Sequence, residues 1–76
     1  MQKLRPVPWK AFEKFLLRSG CVFKRQEGSH RVYWKDGLLR PIIVQAKGKV
    51  PVFIIQNNLR TLGIDRATYL QEVSSF

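Results

Sequence analysis

Apolar positions recur along the chain with two different periods, and each change of period marks an element. In "VPWKAFEKFLLRSG", Trp9, Phe12 and Leu16 fall at i, i+3 and i+7, with Phe15 widening the same face. This spacing predicts a helix from Pro8 to Ser19. Pro8 suits the first turn, where a missing N–H is not needed, and Gly20 suits a left-handed stop. The polar side carries Lys10, Lys14 and Arg18 every four residues. Such a stripe is either solvated surface or the face of a helix laid along a phosphate backbone. The period then drops to two in "CVFKRQE" (Cys21–Glu27), which places Phe23 on the face shared by Cys21 and Arg25.

After the "GS" turn, "HRVYWK" (His30–Lys35) is rich in strand formers. Asp36-Gly37 is a hairpin signal leading into "LLRPIIV" (Leu38–Val44), where Pro41 restricts the strand to an edge or a bulge. "QAKGKVP" (Gln45–Pro51) reads as a basic loop. A second helix is expected over Val52–Leu62, on the stripe Val52, Ile55, Leu59 and Leu62, with Gly63 ending it. A short third helix is expected over Arg66–Val73, capped by Asp65, with Ile64 and Tyr69 spaced for a hydrophobic staple. The order α-β-β-β-α, with a small extra helix, describes one α+β domain. Helices cover one face of a three-stranded antiparallel sheet and leave the other open. The order is that of the double-stranded-RNA-binding type of fold, which other folds share, so it bears on function only by analogy.

Composition then narrows the function. A chain of 76 residues is near the lower limit of independent stability, burying only about 60% of its unfolded surface. Its longest apolar run, Val50–Ile55, is too short to span a bilayer and is broken by Pro51. The N-terminus has no apolar core of a secretory signal, so a soluble, cytosolic protein is expected. Fourteen Lys and Arg against five Asp and Glu give a net charge of +9. That field favours a polyanion, most simply nucleic acid, or else an acidic protein.

His30 is the only histidine and Cys21 the only cysteine, and the carboxylates are scattered. An internal disulfide, a clustered Cys or His metal site and two-histidine catalysis are therefore excluded. His30 reads either as an inert turn residue or as the one side chain suited to proton transfer near neutral pH. Lys24, Arg25 and Arg31 are candidate phosphate contacts, but their facing relative to His30 depends on strand parity across the turn. Gly28 reads as a positive-φ turn glycine whose backbone N–H groups are also free to approach phosphate. Ser29 either bonds a phosphate oxygen or caps the turn, and no relay marks it as a nucleophile. Tyr33 and Trp34 alternate along one strand. Core packing for both through an irregular sheet is the expectation, with base stacking by one of them the alternative. Asn57 and Asn58 are surface or phosphate-contact positions. "NNLRTLGIDRATYL" superficially suggests a helix-turn-helix, which would not need three strands ahead of it.

Taken as a set, Gly20, "KRQEGSHRVYW" and "VPVFIIQNNLRTLGI" resemble the HicA toxin family, also described as YcfA-like. The resemblance spans nearly the whole chain, and its most specific part is Arg-Gln-x-Gly-Ser-His at Arg25–His30. It implies a small ribonuclease of double-stranded-RNA-binding-like fold that cleaves mRNA, and a HicB antitoxin that covers it. Carried over by position, the catalytic histidine is His30, presented by Gly28 and Ser29. The chain departs from the family pattern at Cys21, often aromatic, and after the third strand. There "IIVQAK" stands where "VPxH" is common, so the mechanism implied is centred on one histidine.

The leading expectation is thus a metal-independent endoribonuclease toxin with no cofactor, monomeric when free and hetero-oligomeric with its antitoxin. His30 acts as general base or acid, and Lys24, Arg25, Arg31, Lys47 and Lys49 hold phosphates. Five such contacts correspond to a log K against log salt slope of roughly −3.5 on single-stranded RNA. A non-catalytic RNA-binding module of the same fold, and a domain that only binds an acidic protein, are the alternatives.

Overall fold

The computed structural model describes residues 3–74. In chain order its elements are β1 (Val7–Pro8), α1 (Trp9–Arg18), β2 (Val22–Glu27), β3 (His30–Trp34), β4 (Ile42–Gln45), β5 (Lys49–Val50), α2 (Val52–Leu62) and α3 (Arg66–Val73). Strands β2, β3 and β4 form an antiparallel meander, and β1 pairs with β5 in a separate two-residue ladder. The α-β-β-β-α order is as the sequence predicts, and the fold is α+β and double-stranded-RNA-binding-domain-like.

Local chemistry explains the helix ends. Pro8 caps α1 from outside, with ψ 141, rather than forming its first turn. At the other end Gly20 adopts φ +99. There the Cys21 N–H bonds the Leu16 carbonyl at 3.0 Å and the Gly20 N–H bonds Leu17 at 3.2 Å. This is the Schellman arrangement, and it turns Cys21 back onto buried Leu16. Helix α2 closes in the same way at Gly63–Ile64. Asp65 caps α3 by accepting the Thr68 N–H at 2.7 Å.

One apolar cluster joins Phe12, Phe15 and Leu16 of α1, Tyr33, Ile42 and Val44 of the sheet, Ile55 and Leu59 of α2, and Tyr69 of α3. Tyr69 meets Phe15 edge-on, with ring centroids 4.9 Å apart. Helix α3 therefore closes the core rather than hanging from it.

Several expectations change. Strand β4 begins at Ile42, not Leu38, since Pro41 has no N–H for a ladder and Leu39 is 97% exposed. The basic loop contains β5, too short a strand to show a period. In β2, Phe23 pairs with Tyr33 but Arg25 pairs with Val32, so Lys24 is the extra residue of a bulge. Cross-strand partners share a face, and Tyr33 and Val32 alternate. Phe23 and Arg25 consequently lie on opposite faces, not on one.

Strand β3 alternates without interruption. Arg31 and Tyr33 face the helices, whereas His30, Val32 and Trp34 face the open side. Trp34 is thereby outside the core that it was expected to share with Tyr33.

Candidate active site

The site is built on the hairpin between β2 and β3. Glu27 and His30 form its last pair, and Gly28-Ser29 is the two-residue connection. Gly28 has φ +62, whereas Ser29 is not among the positive-φ residues. That sign pattern is the type II′ turn, which demands glycine at its first position. Two hydrogen bonds fasten the turn. Gln26 Nε2 donates to the Gly28 carbonyl at 2.9 Å, and the Ala46 N–H donates to the Ser29 carbonyl at 2.6 Å.

His30 begins the central strand, with Glu27 beside it on one side and Gln45 on the other. It is exposed, on the helix-free face. Arg25 and Glu27 share that face, and Arg25 Nε donates to Glu27 Oε2 at 2.5 Å. This hydrogen bond, with the charge of Arg25, holds the Glu27 carboxyl below its ordinary range, and His30 adds a smaller pull. An ionised carboxylate thus stands next to the only imidazole. Sequence reading passed over Glu27. The available signal was the two-residue turn, which makes residues 27 and 30 a pair.

Residues 9–64 match the family model of the HicA toxin of bacterial toxin-antitoxin systems. The chain belongs to the HicA toxin family. No curated protein and no solved structure gives a match. The matched stretch runs from the start of α1 to Ile64, just ahead of α3. Membership makes the chain a toxin of a toxin–antitoxin system, a class with an antitoxin partner. Among the described residues no helix is long and apolar enough to cross a membrane.

In this HicA family member the remaining expected site residues divide between the two faces. Lys24 and Arg25 line a shallow depression with Val32 and Trp34, on the side of His30. Lys47 and Lys49 are exposed, in a segment that starts at the turn through the Ala46–Ser29 bond. Its Gly48 carbonyl accepts the Trp9 N–H at 3.1 Å, which ties it to α1.

Arg31 is on the other side. Its Nε lies 2.9 Å from Glu13 Oε2 and 3.0 Å from the Tyr33 hydroxyl, and Nη1 reaches Gln26 Oε1 at 2.7 Å. Its guanidinium stacks 4.0 Å from the centroid of Phe23 and 5.5 Å from that of Trp9. The Tyr33 hydroxyl in turn donates to Glu13. Burial, and next the bond to Glu13, push the Tyr33 phenol up to about 12. This network pins α1 to the sheet, and Arg31 is occupied in it.

Asn57 is exposed and its carbonyl accepts the Thr61 hydroxyl at 3.1 Å, whereas Asn58 Nδ2 is buried without a partner among the described residues. Cys21 is buried, and burial raises its thiol pKa despite the opposing charge of Lys35. A thiol in that state is a packing group, not a nucleophile.

Proposed function

We propose that this HicA family member is an endoribonuclease that cleaves mRNA by general acid–base catalysis at His30, without a metal ion. A HicB-like antitoxin is its proposed partner, and the free toxin is a monomer. The observation that carries this reading is the pairing register. It gives the chain's only histidine an exposed position on the helix-free face, beside ionised Glu27 and near Arg25.

The 2′-hydroxyl oxygen attacks the adjacent phosphorus, the P–O5′ bond breaks, and a 2′,3′-cyclic phosphate and a 5′-hydroxyl result. Entering as neutral imidazole, His30 takes the 2′-hydroxyl proton, and the leaving oxygen is protonated by water. Entering as imidazolium, it gives its proton to the leaving oxygen, and water takes the one from the 2′-hydroxyl. Lys24, Arg25, Lys47 and Lys49 hold phosphates, and the Gly28-Ser29 turn offers backbone N–H groups to the charge that develops on phosphorus. With Arg31 engaged elsewhere, four cations remain, and the expected salt slope falls to roughly −2.8.

The test is incubation of wild type and His30→Ala with RNA in EDTA, followed by end-group analysis. Wild type is expected to give cyclic phosphate ends and His30→Ala to leave RNA intact. Cleavage by His30→Ala at the wild-type rate removes the catalytic assignment. Salt-sensitive binding without cleavage by wild type makes the protein a binding module instead.

A further inference from the structure

On the helix-free face, His30, Val32 and Trp34 follow one another at two-residue steps along β3. Val32 is only 6% exposed, although it lies outside the cluster packed under the helices. It forms the floor of the depression whose other walls are Trp34, Lys24 and Arg25. Val22, paired with Trp34, and Ile43, paired with Val32, extend the apolar surface and are about half exposed, at 50% and 47%.

The β2 bulge is what brings two cations to this rim. In a regular strand consecutive residues point to opposite faces, so Lys24 and Arg25 would separate. With Lys24 as the extra residue, both line the same depression. The result is an aromatic ring and an aliphatic floor edged by two positive charges, on the face of the proposed catalytic histidine. Single-strand-binding surfaces combine the same parts, aromatic platforms for bases and cations for the backbone.

We infer that this depression is a subsite for one unpaired base of the RNA, stacked against Trp34 over Val32, with Lys24 and Arg25 holding the phosphates that flank it. The inference rests on the endoribonuclease reading and deepens it, because it specifies single-stranded RNA as the substrate. A-form duplexes bury their base faces in the stack and offer nothing to an aromatic ring. Four residue steps along β3 take His30 to Trp34, about 13 Å at the usual rise. That distance is no more than about four nucleotides even at the stacked spacing of roughly 3.4 Å per nucleotide. The bound base is therefore close to the scissile bond and selects where the strand is cut.

Trp34 is one of two tryptophans, so Trp9→Phe leaves it as the sole indole reporter. Combined with His30→Ala, that variant is titrated with a short single-stranded RNA, the matching duplex and an acidic peptide. Saturable change of Trp34 fluorescence by the single strand, with a much weaker response to the others, is expected. In the active background, Trp34→Ala is expected to raise KM roughly 5- to 150-fold, as loss of one stacked base would. The kcat at saturating RNA should stay near wild type, and Trp34→Phe should recover most of the KM. No response to the single strand overturns the inference, as does an equal response to duplex. A response to the acidic peptide alone also overturns it, in favour of a protein-binding surface. The titration does not depend on cleavage, so its failure is distinct from failure of the His30 assignment.

Discussion

His30 and Arg31 are adjacent in the chain and stand on opposite faces of the sheet. His30 pairs with Glu27 on the open side, and Arg31 reaches Glu13 of α1 at 2.9 Å on the helix side. One peptide bond thus separates the proposed proton carrier from a residue that holds the scaffold together. The two arginines of this hairpin should accordingly behave as different kinds of residue.

Arg25→Ala is expected to weaken RNA binding, to reduce the salt slope by about 0.7, and to leave the urea unfolding midpoint nearly unchanged. Arg31→Ala should do the reverse, lowering the midpoint while the slope stays the same. Arg31→Lys should recover little, because an ammonium lacks the planar fork that reaches Glu13, Gln26 and Tyr33 while stacking on Phe23. Binding titrations at several salt concentrations, beside urea curves, measure both quantities.

The two tyrosine hydroxyls give opposite expectations. That of Tyr33 bonds Glu13 and Arg31, so Tyr33→Phe should destabilise by about 1–2 kcal/mol. That of Tyr69 is buried with no hydrogen-bond partner among the described residues. Tyr69→Phe removes an unsatisfied group and keeps the ring against Phe15, and should stabilise by about 1 kcal/mol. Urea denaturation of the two variants decides between these signs.

Alkaline titration reads the same pair together. Burial pushes both phenols up to about 12, from an ordinary value of 10.0. The folded state therefore favours the protonated phenol. Its contribution to stability is complete below pH 10 and is lost as pH rises through about 12. These are the only two tyrosines in the chain. Tyrosinate absorbance should stay flat until the protein unfolds and then rise together with loss of the helical circular dichroism signal.

Gly28→Ala tests the turn. An added Cβ meets nothing within 4 Å, so space is not the obstacle. The φ of +62 is, and a non-glycine residue there costs about 1–2 kcal/mol. The urea midpoint of the variant gives that cost, and RNA cleavage should fall by more than the folded fraction does, because the turn leads directly into His30.

What the sequence made legible follows from length of pattern. All three helices and the Asp65 cap were readable, because each helix repeats its period over at least two turns. The β1–β5 ladder has two residues per strand and shows no period at all. Leu38 and Leu39 extended an apolar run that looked like strand, yet Leu39 faces solvent. His30 could be singled out by elimination as the one side chain suited to proton transfer near neutral pH. Its face was not legible, since that depends on which turn forms. Arg31 looked like one more surface cation, because its partner Glu13 is 18 positions away and leaves no local trace. The bulge was the least legible feature. Lys24 sits among polar residues and carries neither glycine nor proline to mark it.

That extra residue also governs how relatives of this toxin are to be compared with it. Position in β2 has to be counted inward from the Glu27–His30 end of the hairpin on one side of Lys24, and from Val22 on the other. A homologue shorter by one residue here keeps both ends in register when the gap is set opposite Lys24. Set anywhere else, the gap inverts the facing of every residue between it and the bulge, and assigns positions of the open face to the core.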